Sequence, residues 1–201
     1  MSEIKCVLFD IGGVLVDWHM SWITSEISKQ FQINEDQVTN AFSRYLNDLD
    51  SGKIDERLFW QQIANDVDSI SLKQTNESLW NTYFRKHAKP NHDVIKLVQS
   101  LRTSHTLGII SNIERVTHKV VDDWNILKPF EHHFMSYQIG FSKPDSRIYR
   151  HVIENLPFEP ASMLFIDDKK TNVDAATDAG LNAIHYTGFA SLQSSIAEYD
   201  I

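Results

Sequence analysis

Cysteine is nearly absent: Cys6 is the single one in 201 residues, so no internal disulfide can form. It stands inside a short apolar run and reads as a small core residue of a protein from a reducing compartment. Glycine (7) and proline (5) are scarce, which excludes a fibrous repeat or a low-complexity linker. Positive charge is in deficit. Nineteen Lys and Arg against 27 Asp and Glu leave a formal charge of −8, a poor basis for general nucleic-acid binding. Long apolar runs are also missing. Stretches such as Cys6-Val7-Leu8-Phe9 are far short of the roughly 20 residues a membrane-spanning helix needs. The opening Met1-Ser2-Glu3-Ile4-Lys5 leads straight into that run, so neither a signal peptide nor a membrane partner is expected and a cytoplasmic location is. With 42% hydrophobic and 23% charged residues, the composition is that of a globular protein with a real core, sized for one domain carrying a smaller insert.

Four apolar runs have the length and β-branching of buried strands: Ile4 to Phe9, Thr106 to Ile110, Met163 to Ile166 and Ala183 to Tyr186. The first three stop at polar residues, respectively Asp10 before Gly12-Gly13, Ser111-Asn112, and Asp167-Asp168. Helical spacing joins Val94, Ile95, Leu97, Val98 and Leu101, and again Ile148, Val152, Ile153 and Leu156. A short helix from Asn172 to Ala179 is stopped by Gly180. Strands alternating with helices predict an α/β fold, a Rossmann-like parallel sheet with helices on both faces. Such sheets bind ligands beyond the carboxyl ends of their strands, which is where Asp10, Ser111, Asn112, Asp167 and Asp168 stand.

From Trp18 to Lys89 the alternation stops. Four amphipathic helical faces follow one another: Met20, Ile23, Ile27 and Phe31; then Val38, Ala41, Phe42, Tyr45 and Leu49, opened by Asn34; then Leu58, Phe59, Ile63 and Val67 after the turn Asp50-Ser51-Gly52-Lys53; then Leu79, Trp80, Tyr83, Phe84 and His87. The expected organisation is an α/β core of residues 1–17 and 90–201 with a helical-bundle cap of residues 18–89 inserted after the first strand.

Taken singly, each polar element fits an ordinary structural role. Asp10 with two glycines makes a turn after a strand. Ser111 with Glu114 three residues on makes a capping box. Pro144, after Lys143, suits a first helical position, and Asp167-Asp168 suit helix capping. All four in this order, three of them at strand ends, make a chemical constellation instead. The nine histidines, among them His132-His133, show no zinc spacing.

On these residues the chain resembles the haloacid dehalogenase-like (HAD) hydrolase superfamily, in its branch with a helical cap. Phe9-Asp10-Ile11-Gly12-Gly13-Val14-Leu15 resembles the first motif and Ile110-Ser111-Asn112 the second. Phe141-Ser142-Lys143-Pro144-Asp145 resembles the third, and Phe165 to Asn172 the fourth. The resemblance implies a phosphatase. Asp10 would be the nucleophile and form an aspartyl intermediate. Asp10, Asp168 and the Gly12 carbonyl would hold Mg²⁺, with Asp167 and Asn172 orienting them. Ser111 and Asn112 would bind phosphoryl oxygens, and Lys143 would be a point charge on both nucleophile and phosphate.

The chain departs from the family pattern at Gly12, where most family phosphatases carry a second Asp as general acid and base. A subgroup resembling α-glucose-1-phosphatase has Gly there. General acid–base help is worth roughly 10²–10⁴ in rate, so a stand-in is needed, and Asp17 and His19 are the nearest in sequence. The function expected is a Mg²⁺-dependent phosphatase of a small phosphorylated metabolite, such as a sugar phosphate, acting as a monomer or weak homodimer. The alternatives are a 2-haloacid dehalogenase, and a degenerate member that binds a phosphorylated ligand without turnover.

Overall fold

A computed structural model describes residues 3–201. In chain order its elements are β1 (Cys6–Phe9), β2 (Val16–Asp17), α1 (Met20–Phe31), α2 (Glu35–Asp50), α3 (Glu56–Asp66), α4 (Ile70–Lys73), α5 (Leu79–His87), β3 (Lys89–Pro90), α6 (His92–Leu101), β4 (Thr106–Ser111), α7 (Arg115–Asp123), β5 (His132–Met135), α8 (Ser136–Ile139), α9 (Ser146–Asn155), β6 (Met163–Asp167), α10 (Lys170–Asp178), β7 (Asn182–His185) and α11 (Phe189–Ala197). No helix among the described residues is long and apolar enough to cross a membrane.

Five strands form one parallel sheet in the order β5-β4-β1-β6-β7. The central strand, β1, pairs Cys6 with Thr106 and Met163, and Phe9 with Ile109 and Ile166. This register draws the carboxyl ends of β1, β4 and β6 together. Their residues are apolar without alternation because both faces are covered. Val7, Phe9, Leu107, Ile109, Leu164 and Ile166 join one core with residues of α6, α7 and α11. Cys6, Leu8, Ile110, Met163 and Phe165 join the other, with Ile148, Tyr149 and Val152 of α9 and Ala176 of α10. Burial pushes the Cys6 thiol up to about 12, so it stays protonated and inert.

The predicted α/β architecture is the one the chain adopts, its parallel sheet having one more strand than the four expected. β5 was not anticipated because its sequence, His132-His133-Phe134-Met135, is half histidine and lies at a sheet edge. The turn-length helices α4 and α8, and α11 near the end of the chain, also carried no predicted boundary.

The chain leaves the sheet region at β2 and returns at β3, and these two segments pair antiparallel, Val16 with Pro90 and Asp17 with Lys89. Between them lie α1–α5, of which α1, α2, α3 and α5 carry the four predicted faces. Asn34, Asp55, Ser69 and Ser78 cap α2 to α5 through their side chains. Their shared core is aromatic. Phe42 stacks on Trp80 with ring centroids 5.3 Å apart and meets Phe59 edge-on at 5.0 Å. The indole N–H of Trp80 then reaches out to donate to the Thr117 hydroxyl of α7 at 2.7 Å.

Candidate active site

Asp10 follows β1 directly, and its backbone N–H continues the ladder to the Ile166 carbonyl at 2.9 Å. The next turn folds back on itself, the Ile11 carbonyl accepting from the N–H groups of Leu15 (2.9 Å) and Val16 (2.8 Å). Gly13 is needed there for two reasons. Its φ is +81°, and a Cβ on it would lie 2.4 Å from Asp168 Oδ2. Gly12 is different: its φ lies outside the left-handed region, but a Cβ on it would meet the Trp18 ring at 3.1 Å. The position where an acid was expected to be missing is thus covered by an indole.

One oxygen of Asp10, Oδ1, receives the Ile11 N–H at 2.7 Å, the Ser111 hydroxyl at 2.8 Å and the Lys143 ammonium at 2.9 Å. No hydrogen bond from the described residues reaches Oδ2. Ser111 is the last residue of β4, and the capping-box reading of Ser111 is corrected: α7 starts at Arg115, and Glu114 caps it by accepting from the Thr117 N–H at 2.5 Å. The strand runs one residue further than expected because Ser111 still pairs with Met135 of β5.

Asn112 grips the Lys143 peptide at both ends. Its Nδ2 donates to the Lys143 carbonyl at 2.8 Å, and its Oδ1 accepts from the Lys143 N–H at 2.7 Å. It therefore orients Lys143, with one amide N–H left for any other partner. The Lys143 side chain is fully buried, and its ammonium meets the Ile110 carbonyl (2.8 Å), Asp167 Oδ2 (2.6 Å) and Asp10 Oδ1 (2.9 Å). Three protons face three acceptors. Pro144 lies outside α9, whose cap is Asp145, so the first-helical-position reading is also corrected.

Asp167, wholly buried, accepts from Lys143, from the Lys169 N–H at 2.8 Å and from Asn172 Nδ2 at 3.0 Å. It does not cap α10: the residue there is Lys169, without a side-chain cap. Asp168 is the member without support, since its buried Oδ1 has no hydrogen-bond partner. Carboxylate oxygens of Asp10, Asp167 and Asp168 lie within 4.8 Å of one another.

Three carboxylates against one ammonium leave an excess of two negative charges. Burial pushes the Asp10 carboxyl up to about 6 against the opposing pull of Lys143. Burial and then Asp167 push Asp168 up. For Lys143 burial alone would act downward, but Asp10 and Asp167 hold its ammonium above the ordinary value. An all-oxygen donor set, an orphaned buried oxygen and two uncompensated charges fit a hard divalent cation. Asp10, Asp167 and Asp168 are the carboxylates that could hold one, and Gly12 lines the same cavity.

That cavity, about 340 Å³, opens between the strand ends and the helical insert. Its core side carries Asp10, Ser111, Asn112, Lys143, Asp168 and Asn172. Its other wall carries Trp18, Met20, Leu46, Trp80 and Phe84. Of the two stand-ins expected for the missing acid, His19 lines the cavity with a side chain 66% exposed, while Asp17, 63% exposed, lies outside the lining. Two acidic residues that sequence reasoning passed over do line it, Asp50 at the end of α2 and Glu114. Burial, then Glu114, pushes the Asp50 carboxyl up to about 8, and burial pushes Glu114 up to about 7. In the sequence each fits another role, Asp50 a turn and Glu114 a helix cap.

A parallel α/β sheet that ends in an acidic cluster around one lysine, beneath a cavity, has its ligand site beyond the strand ends. The chain belongs to the haloacid dehalogenase-like hydrolase family, whose model matches residues 7–186. It is 25% identical to the sesquiterpene phosphatase astK of Aspergillus oryzae over 92% of this chain and 91% of that one. It is 23% identical to the D-ribitol-5-phosphate phosphatase of Bacteroides thetaiotaomicron over 88% and 89%. An (S)-2-haloacid dehalogenase of Pseudomonas putida is 24% identical over 90% and 83%. Among solved structures, an HAD family enzyme of Bacteroides thetaiotaomicron superimposes with a TM-score of 0.75 at 25% identity, over 94% of this chain and 95% of that one. A structure of that enzyme holds magnesium and inorganic phosphate, with a TM-score of 0.72 at 24% identity over 93% and 95%.

Proposed function

We propose that the protein is a Mg²⁺-dependent phosphatase of small phosphate monoesters, with Asp10 as nucleophile. The observation that carries this reading is Asp10 itself. One oxygen is fixed by three donors and the other is unpartnered, beside an acidic cluster short of two positive charges. Asp10, Asp168 and the Gly12 carbonyl would hold the cation, and Asp167 and Asn172 would orient them. When bound, the cation neutralises the phosphoryl charge and keeps Asp10 ionised.

The remaining work falls to the chain. Lys143 fixes the Asp10 carboxylate and offsets part of its charge, and Asn112 fixes Lys143. Ser111 holds Asp10 and faces the cavity floor, where a phosphoryl oxygen would lie. Asp10 attacks phosphorus, the ester oxygen leaves with the alcohol, and water then releases phosphate from the aspartyl group. Residues 18–89 act as a cap over the core of residues 1–17 and 90–201, closing through β2 and β3 to exclude water. The protein works in the cytoplasm as a monomer or weak homodimer.

For substrate, the cap wall argues for a neutral alcohol portion. Trp18, Met20, Leu46, Trp80 and Phe84 give it apolar faces, and Lys143 and Lys169, both from the core, are the lysines of the lining. A sugar phosphate, whose ring packs on aromatic faces, and an apolar alcohol phosphate both satisfy it; an ester carrying a second phosphate does not. The dehalogenase alternative uses the same nucleophile on carbon without a metal, and leaves the acidic cluster without a role.

The deciding experiment measures phosphate and halide release across sugar, polyol, terpenoid and nucleotide phosphates and 2-haloacids, with Mg²⁺ and with EDTA. Phosphate release that EDTA stops and Mg²⁺ restores, and that falls more than a hundredfold in folded Asp10→Asn, is expected. Halide release indifferent to EDTA would replace the reading with dehalogenation.

A further inference from the structure

We infer that Asp50, brought into the cavity by the cap, is the general acid and base that takes the place of the missing carboxylate at Gly12. This rests on the phosphatase reading above and assigns it a residue that the family motifs do not contain.

The cavity offers a short choice of acids. Asp10 and Asp168 belong to the nucleophile and cation cluster. Glu114 is committed as the cap of α7, accepting the Thr117 N–H. Asp50 lines the same cavity, and its carboxyl makes no hydrogen bond with the described residues. Gly12 itself has no side chain to offer, and a Cβ there would crowd the Trp18 ring at 3.1 Å. A proton donor must therefore come from another element, and the end of α2 is the one that reaches in.

That end is fixed in place by three contacts with the core. The Ser136 hydroxyl, which also accepts the Ile113 N–H at 2.9 Å, lies 2.5 Å from the Asp50 carbonyl. The Ser142 hydroxyl, next to Lys143, donates to Asn47 Oδ1 at 2.5 Å. Gly52, with φ +70°, lies so close to α8 that a Cβ would sit 2.4 Å from the Tyr137 carbonyl oxygen. Asp50 is thus presented to the site only while α2 is docked, which ties proton delivery to cap closure.

Its surroundings keep it protonated near neutrality. Asp50 is the last residue of α2, where the helix dipole disfavours negative charge, and the last turn of α2 has no basic residue. The charged groups around it are Glu114, the cap before α7, Asp10 after β1, Lys143 before α9 and Lys169 before α10. Burial leads, the two acids add to it, and the two lysines oppose it, for a value of about 8. In the first step the Asp50 O–H gives its proton to the ester oxygen as the P–O bond to the alcohol breaks and the bond to Asp10 forms. In the second, the Asp50 carboxylate takes a proton from the water that attacks phosphorus, as the bond to Asp10 breaks and phosphate leaves.

The test uses the full chain with Mg²⁺ and two substrates, 2,4-dinitrophenyl phosphate, whose leaving group needs no proton, and a simple alkyl phosphate, whose leaving group does. In single-turnover release of the alcohol, which reads the first step alone, Asp50→Asn is expected to slow the alkyl ester by about 10²–10³ and the aryl ester by less than fivefold. Steady-state kcat falls on both, because the shared second step loses its base. The wild-type fall in alkyl-ester kcat as pH rises through about 8 is expected to vanish in the variant. Asp50→Glu, which keeps the acid, should recover part of the alkyl rate. Equal single-turnover losses on both esters with an unchanged pH profile would make Asp50 structural and overturn the assignment. So would the leaving-group signature appearing in His19→Ala instead. Phosphate release by wild type with none of these Asp50 effects leaves the phosphatase reading standing alone. No release from either ester removes both.

Discussion

Lys143 concentrates the electrostatics of the site in one side chain. It is the only ammonium touching Asp10 and Asp167 among the described residues, and removing one partner of a buried ionic group costs roughly 3–5 kcal/mol. Lys143→Met keeps the volume and removes the charge, so metal-free protein should lose about that much in urea denaturation at pH 8. The sign with pH follows from the carboxylates left behind. The folded-state pKa of Asp10, already raised, rises further without the lysine. Its protonated form is favoured by the fold, so stability is present at low pH and lost as pH rises through that value. The deficit against wild type should therefore shrink at pH 5, and added Mg²⁺ should restore part of it at pH 8. A deficit that is the same at both pH values would mean that lost packing, not unpaired charge, is responsible.

At the scale of elements, the turn after β1 is the most constrained segment of the site. Gly13 and Gly140 both have positive φ, +81° and +86°, but a Cβ on Gly140 meets nothing within 4 Å, whereas one on Gly13 would strike the Asp168 carboxylate. The pair separates backbone strain from the steric effect. Gly140→Ala should cost about 1–2 kcal/mol, the left-handed penalty alone, with an unaltered Mg²⁺ dependence. Gly13→Ala should cost more and raise the Mg²⁺ concentration needed for half-maximal activity at least tenfold, because Asp168 must move. Magnesium titrations of the two variants side by side would show it; matching curves would take Asp168 out of the cation site.

On the scale of the whole molecule, the two chain crossings at β2 and β3 form one narrow joint, and the wall they carry supplies the apolar half of the cavity. Removing methylene-sized contacts from such a wall changes discrimination by roughly 10–200-fold. Met20→Ala and Leu46→Ala should therefore shift the ratio of kcat/KM between an apolar alcohol phosphate and a polyol phosphate by tenfold or more. Activity on a small aryl phosphate should stay within a few-fold of wild type. A uniform loss on every substrate would reduce the helical segment to a lid with no part in selection.

What the sequence by itself determined was whatever depends on local order along the chain. Continuous apolar runs ending in Asp10, Ser111 and Asp167 specify buried parallel strands with polar ends, and 3.6-residue spacing specifies the insert helices. The motif order was enough to place the chain in its family. The tertiary structure decided what depends on contacts between distant segments. It paired His132–Met135 as the edge strand, since Phe134 and Met135 gain burial only against β4 and the helices. It turned Asn112 from a free amide into a clamp on Lys143 across 31 positions. It covered Gly12 with Trp18, and it carried Asp50 beside Glu114 and Lys169. A carboxylate in a turn looks the same in sequence whether water or a closed cavity surrounds it. Its burial, and with it its protonation, is set by the elements that fold over it.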